Sequence, residues 1–259
     1  CIRDSVLMNK IKGYEKAIST EGVTPLKCGF SPDGKHIIFG SSAGLIYIYD
    51  YSSGKEVKKI AGHTGTVYAA DYTPDGKHIV SVSRDSTIRI WDAVTGAELR
   101  KIAVKGRGLA DIDVSPDGKK ILYGSWYMKE NGVNGTVSLW TMEGELIRDT
   151  DFEVKPIVSV KFSPDGKTYA VGTRNWSLPV WNTETGELLH RFHYDDVRAY
   201  SAIDDIAYSP DGKKIIAATK NGTPRIWSLE TGKMLFDLRG HRKGVFSAAW
   251  SPDGKYIYT

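Results

Sequence analysis

Apolar and polar residues alternate with period two along most of this chain, in short runs cut by clusters of turn-forming residues. One stretch shows the plan in full. Val67–Tyr72 alternates as a first strand, Pro74-Asp75-Gly76 turns the chain, and residues 77–83, 87–91 and 97–102 read as three more strands, with Val94-Thr95-Gly96 turning between the last two. No segment sustains the apolar stripe of a helix, so the pattern predicts an all-β protein.

The same plan repeats. Pro-Asp-Gly-Lys recurs at Pro32, Pro74, Pro116, Pro164, Pro210 and Pro252, with separations of 42, 42, 48, 46 and 42 residues, close to the roughly 40–45 of a four-stranded propeller blade. In each tag Pro fixes φ at the first corner, Asp bonds back to the backbone and Gly accepts the positive φ of a tight turn. The expected repeat units are about 20–61, 62–104, 105–151, 152–194, 195–239, and 240–259 taken together with 1–19. Residues 255–259 followed by 1–4 match 77–85 in kind and length. The last hairpin and strands over 5–8 and 14–18 are therefore expected to form one composite blade, closing a ring of six, or of seven if a unit lies outside this sequence. The start at Cys1, with no Met and no signal-like segment, is read as an excerpt of a longer chain.

Gly62-His63 and Gly240-His241, with Trp91-Asp92 and the tryptophans Trp140, Trp181 and Trp227, resemble the GH and WD signatures of WD40 repeats. The resemblance implies a β-propeller in which buried His, Ser or Thr, Asp and Trp pin a blade, here His63, Ser81, Asp85 and Trp91. The first unit has Ala43 in the place of Asp85, the third to fifth have Asn134, Asn175 and Asn221, and those three units lack the His. The Ser-Pro-Asp-Gly tag is also shared with TolB-like propellers that accompany enzymes.

Composition narrows the chemistry. A net charge of +4 is too small to indicate nucleic acid, and no apolar run approaches the roughly 18 residues of a membrane span; a cytoplasmic address is expected. Two cysteines, Cys1 and Cys28, make no disulfide framework. His190 and His193 lack companions at metal-ligand spacing, and Asp195-Asp196 and Asp204-Asp205 lack the regular oxygen spacing of a calcium loop. His63, Ser81 and Asp85 are expected as a blade network rather than a hydrolase triad, because the serine would lie under a tryptophan. No catalytic residue, cofactor or metal is expected. Three Asn-x-Ser/Thr sequons, at Asn134, Asn175 and Asn221, fall at the expected turn between second and third strands, where Asn suits a left-handed conformation.

With the four strands of a unit lettered a to d, the resemblance implies that partners dock on the face made by the d–a and b–c loops. Aligned units place Arg3, Ser42, Arg84, Trp126, Arg174 and Lys220 before the b–c turn, and Leu26, Tyr68, Ala110, Val158, Asp204 and Phe246 at the second position of strand a. The third unit carries extra residues in its expected b–c loop, 126–133, as a partner contact or as packing over a neighbouring blade. The expected partner-binding residues are Arg3, Tyr68, Arg84, Trp126, Tyr127, Arg174, Lys220 and Phe246. The expected function is a non-catalytic scaffold in a multi-subunit complex, binding a partner protein or an acidic or phosphorylated peptide on that face. The alternatives are a propeller accessory to an enzyme and a nucleic-acid platform.

Overall fold

The computed structural model describes residues 27–105, 111–130, 132–152, 156–193 and 202–259, with all of their side chains except those of Lys129 and Phe152. The first unit has strands β1 (Cys28–Phe30), β2 (His36–Gly40), β3 (Leu45–Asp50) and β4 (Glu56–Ala61); the second has β5 (Val67–Tyr72), β6 (His78–Ser83), β7 (Thr87–Asp92) and β8 (Glu98–Ala103). The third has β9 (Asp111–Val114), β10 (Lys120–Lys129), β11 (Gly132–Thr141) and β12 (Leu146–Phe152); the fourth has β13 (Ile157–Phe162), β14 (Thr168–Thr173), β15 (Ser177–Asn182) and β16 (Leu188–His193). The fifth has β17 (Ile203–Tyr208), β18 (Lys214–Thr219), β19 (Arg225–Ser228) and β20 (Met234–Asp237), and the sixth has β21 (Ala249–Trp250) and β22 (Ile257–Tyr258). Each of the first five units is one four-stranded antiparallel sheet in a-b-c-d order, and the sixth contributes a two-stranded a–b hairpin. The described residues contain no helix. The composite blade expected from 1–19 lies outside the described residues.

Sheets pack face to face, and each seam is one apolar core shared by two units. Ile38, Ile46 and Ile60 of the first unit meet Val67, Ile79 and Trp91 of the second; Leu122 and Leu139 of the third meet Val160 and Trp181 of the fourth. At the seams the b strands need small residues. A Cβ on Gly40 would come within 2.5 Å of Val67, and one on Gly124 within 2.5 Å of Val160. The tag corners lock the stagger of successive sheets. A Cβ on Gly76 would sit 3.8 Å from the Pro32 ring, and Gly118, Gly166, Gly212 and Gly254 pack the same way on Pro74, Pro116, Pro164 and Pro210. All six corners therefore follow one another along one side of the molecule. Within each, the Asp accepts from the Ser or Thr that precedes the Pro, and that hydroxyl takes the amide of strand b: Thr73 Oγ1 donates to Asp75 Oδ1 at 2.6 Å, and His78 N donates to Thr73 Oγ1 at 3.0 Å.

The second unit contains the full polar network. Trp91 Nε1 donates to Ser81 Oγ (2.8 Å), Ser81 contacts His63 Nε2 (2.8 Å), and His63 Nδ1 contacts Asp85 Oδ2 (2.9 Å). With Ser81 accepting from Trp91, its own proton goes to Nε2, so the neutral His63 carries its proton on Nδ1 and gives it to Asp85. Arg89 extends the chain, bonding Asp85 through Nη2 (3.2 Å) and Glu98 through Nη1 (2.6 Å). Burial pushes the His63 pKa down against the pull of Asp85. Burial also opposes the charge of Asp85, but donors from Thr87, His63 and Thr64 outweigh it and hold its pKa far below the usual range. In the other complete units the position of Ser81 is held by Phe39, Tyr123, Val171 and Ala217. There packing replaces hydrogen bonds: Phe39 stacks on Tyr49 at 5.7 Å, and Trp140 Nε1 is left buried without a partner.

Two sequence expectations change. The extra residues of the third unit are not a loop: β10 and β11 run on as paired strands, with Trp126 opposite Gly135 and Tyr127 opposite Asn134. Asn134 thus lies in a strand, not a turn. At Asn175 and Asn221 the turn reading holds with a shift of one residue, since Trp176 (φ 66) and Gly222 (φ 81) take the left-handed conformation. The Asn side chains instead accept from Thr173 Oγ1 and Thr219 Oγ1.

Replacing Asp85 with Ala removes the acceptor of a buried imidazole and a buried guanidinium, and a loss of about 3 kcal/mol is expected in chemical denaturation. Because His63 has a lowered folded pKa, its contribution is fully present above its ordinary value near about 6.5 and is lost as pH falls below it. The stability slope between pH 6.5 and 5 should flatten in His63→Gln, and a slope unchanged by that substitution would contradict the network.

Candidate functional site

Strand a carries an irregularity that aims its second residue. The pairing of a with b slips between Val67 and Ala69, between Ile157 and Ser159, and between Ile203 and Asp205. Tyr68, Val158 and Asp204 therefore stand in bulges, free of the ladder, at the b–c and d–a end of the sheets. The b–c turn residue is tied beside each bulge by its amide: Arg84 N donates to Thr66 O (2.8 Å), Arg174 N to Pro156 O (3.1 Å) and Lys220 N to Ala202 O (3.2 Å). Three of the expected cations thus occupy one structural position in three units, each next to the expected rim residue.

Their surroundings differ. Arg84 and Arg174 are exposed. Lys220 reaches Asp204 Oδ1 at 3.9 Å, and the other oxygen of Asp204 is buried without a hydrogen bond. Burial raises the pKa of Asp204, and Lys220 and Arg174 offset this only in part. The d–a loop of the sixth unit adds exposed Arg242 and Lys243, and Phe246 offers a ring that is 55% exposed. Tyr68 is half-buried beside Arg84, and burial pushes its pKa up. Trp126 and Tyr127 stand at the root of the extended hairpin, Trp126 with its Nε1 buried and unpaired, Tyr127 with its hydroxyl donating to Asp151 at 3.0 Å. Met128 of that hairpin is exposed, 69% accessible. Arg3 lies outside the described residues.

The Asp85–His63–Ser81 chain has the connectivity of a hydrolytic triad. It cannot act as one: Ser81 is fully buried, and its oxygen is already committed to Trp91 and His63. No group of three His, Cys, Asp or Glu residues among the described residues is arranged to hold a metal ion.

Sequence reasoning missed the bore of the structure. Charged residues recur three and five positions before the tag prolines: Asp71, Asp113 and Lys161 at the first spacing, Lys27, Asp111 and Asp205 at the second. They meet around a common axis. Lys27 Nζ reaches Asp111 Oδ2 at 2.5 Å across 84 residues of chain, and Lys161 Nζ reaches Asp113 Oδ1 at 2.5 Å. Asp111 and Asp113 also accept the amides of Val160 (2.9 Å) and Phe162 (2.8 Å) in the next blade, so they tie inner strands together. Asp205 accepts from Ser159 (3.1 Å) and Ser247 (2.7 Å). Burial opposes the charge of Lys161, but Asp113, Asp111 and Asp71 together push its pKa up. Among the described residues Asp71 accepts its neighbouring amide, Tyr72 N at 2.8 Å, and burial raises its pKa to about 6. The spacing to the tag was the signal that could have revealed these residues.

Repeated four-stranded sheets, a shared tag edge and a charged bore define a β-propeller with loop-bearing faces. Residues 54–92 match the WD domain, G-beta repeat family, and residues 195–253 match the anaphase-promoting complex subunit 4 WD40 domain. These matches place WD40 repeats in two stretches of the chain, repeats of a kind that typically serves in protein-interaction scaffolds. The chain is 30% identical over 67 residues to the U5 small nuclear ribonucleoprotein 40 kDa protein of Bos taurus, a match that spans 26% of this chain and 16% of that relative. No helix among the described residues is long and apolar enough to cross a membrane.

Asp71 gives a test of the bore. Its raised folded pKa means that it costs stability when ionised, a cost that fades as pH falls through about 6. Asp71→Asn is expected to stabilise the protein by about 1–2 kcal/mol at pH 7.5 and to leave it little changed at pH 4.5. Equal effects at both pH values in thermal melts would show that Asp71 is not held in this environment.

Proposed function

We propose that this protein is a non-catalytic scaffold that takes an acidic or phosphorylated peptide of a partner protein on its b–c and d–a face. The observation that carries the reading is the repeated placement of Arg84, Arg174 and Lys220 at one position in three blades, each tied beside a bulged rim residue. Arg84, Arg174, Arg242 and Lys243 are exposed, and none forms an ion pair with a described residue, so their charge is available to a ligand. Arginine suits the task because its planar fork pairs bidentately with carboxylate or phosphate. Phe246 and Tyr68 supply apolar surface around these charges. Trp126, Tyr127 and the tip Met128 form a raised wall at the third blade that bounds the ligand on one side. A multi-subunit setting fits a rigid platform of this kind, and the name of the bovine relative points to a particle for that protein.

A peptide array probed with the 259-residue chain should favour Glu-rich and phosphoserine sequences over neutral controls. For a peptide so selected, Arg84→Ala and Arg174→Ala should each weaken binding roughly fivefold, and Phe246→Ala about tenfold, by fluorescence anisotropy. An array with no acidic preference, or a single-stranded oligonucleotide bound more tightly than any acidic peptide, would overturn the proposal. Binding that survives Trp126→Ala and Tyr127→Ala unchanged would remove the third blade from the site.

A further inference from the structure

The raised hairpin of the third unit carries an open edge. β9 pairs with β10 only from Ile121 to Gly124, whereas β10 runs on from Ser125 to Lys129 with β11 as its partner. No described strand pairs with the β9 side of that extension. Lys120 O accepts Ser115 N across β9 and β10 at 2.9 Å, so the two-residue period turns the amides and carbonyls of Trp126 and Met128 to the same open side. Among the described residues only Ser125 Oγ approaches them, 3.5 Å from Trp126 O. Strand edges are commonly blunted by lysine, proline or a bulge, but Ser125-Trp126-Tyr127-Met128 has none of these and its pairing with β11 is continuous. The seams below fix which way this edge faces. Ile121 and Tyr123 pack with Ala69 and Val80 of the second unit, and Leu122 packs with Ile157 and Val160 of the fourth. Successive side chains of a strand on this edge therefore turn alternately toward the second unit, which carries exposed Arg84, and the fourth, which carries exposed Arg174.

We infer that an extended acidic segment of a partner protein adds to this edge as a further strand of the third blade, bonding the backbones of Trp126 and Met128 and sending acidic side chains to both sides, toward Arg84 and toward Arg174. The inference rests on the acidic-peptide reading of this face and supplies its binding mode. An acidic occupant follows from charge complementarity with the two arginines. Its extended form follows from a template that offers backbone donors and acceptors at the spacing of a strand. Because a strand alternates its side chains, the site selects acidic residues an odd number of positions apart, one for each arginine.

Two peptides of one composition test this by calorimetry. In acetyl-Thr-Val-Glu-Glu-Val-Thr-amide the glutamates fall on opposite sides of a strand, and in acetyl-Thr-Glu-Val-Glu-Val-Thr-amide they share one side. The first should bind at least about fivefold tighter, and Arg84→Ala and Arg174→Ala should each erase that preference. N-methylation of alternate residues of the first peptide blocks the amides along one edge of its strand. One alternate set should abolish binding, and the other should leave affinity within about twofold. Bound peptide should also slow hydrogen exchange at the amides of Trp126 and Met128 by about tenfold. Equal affinity of the two peptides, no binding of either, equal effects of the two methylated sets, or unchanged exchange at Trp126 and Met128 would overturn the added strand. Any of these results beside an array that prefers acidic sequences removes only this binding mode, whereas an array without that preference removes the acidic face as well.

Discussion

A four-stranded sheet with two apolar faces cannot bury either face by itself, and the whole structure follows from that constraint. Five of the six apolar clusters among the described residues are made jointly by two successive units, and the sixth, Ile37, Phe39, Tyr47 and Tyr49, belongs to the first unit alone. The seams set what the strands can carry. Glycine stands where strand b of the first, third and fourth units meets the next a strand, and an aromatic is the next-to-last residue of each described c strand. The tag corner acts on the same seam from its edge. With each tag glycine lying on the preceding tag proline, a sheet cannot slide along its neighbour without opening that contact.

The seams also explain why the family's polar network can be lost in most units and kept in one. A buried imidazole, carboxylate and guanidinium stabilise a blade only when every partner is present, and well-packed apolar groups of similar volume serve as well. The first unit takes the apolar route with Phe39, Tyr47 and Tyr49 stacked together, and the fourth with Tyr169 against Trp181 at 5.4 Å. The second unit keeps the polar solution complete. In the sixth, His241 Nε2 meets Thr259 Oγ1 at 2.7 Å, which repeats the contact of His63 with Ser81 at the same two positions. The second unit thus keeps the whole network and the sixth its His–hydroxyl contact, while the four complete units that lack the His pack apolar and aromatic groups there instead.

Much of this was legible in the residues, for specific reasons. The tag could be read because its chemistry is local: Pro, Asp and Gly each act within the same turn, and strand β5 was predicted to the residue from its alternation. The network of His63, Ser81, Asp85 and Trp91 could be read because the four residues sit at fixed distances from the tag. The extended β10–β11 hairpin could not, since its Gly and Asn residues look like a loop and only the pairing of Trp126 with Gly135 shows otherwise. The rim cations were found by alignment, but the reason they face the rim is a slip in strand pairing that has no signature in composition. The charged bore escaped because Asp111 and Lys27 are 84 residues apart, and only the packing of inner strands from different units against one another brings them together.

The bulge in strand a links the two ends of the molecule electrostatically. Asp204 and Asp205 are neighbours in sequence, and in a regular strand they would simply face opposite sides of the sheet. The slip at this point sends Asp204 to the rim, where burial raises its pKa and Lys220 answers it only from 3.9 Å. Asp205 turns into the bore, where burial is outweighed by the charge of Lys27 and the hydroxyl of Ser247, and its pKa falls. Two adjacent carboxyl groups are thereby driven in opposite directions by one backbone irregularity. The same irregularity beside Arg84 and Arg174 keeps cations on the rim while the next inward position is left to the bore. One short strand, repeated in successive units, can therefore set Arg84, Arg174 and Lys220 beside its bulge while its next inward positions carry the carboxylates of the bore.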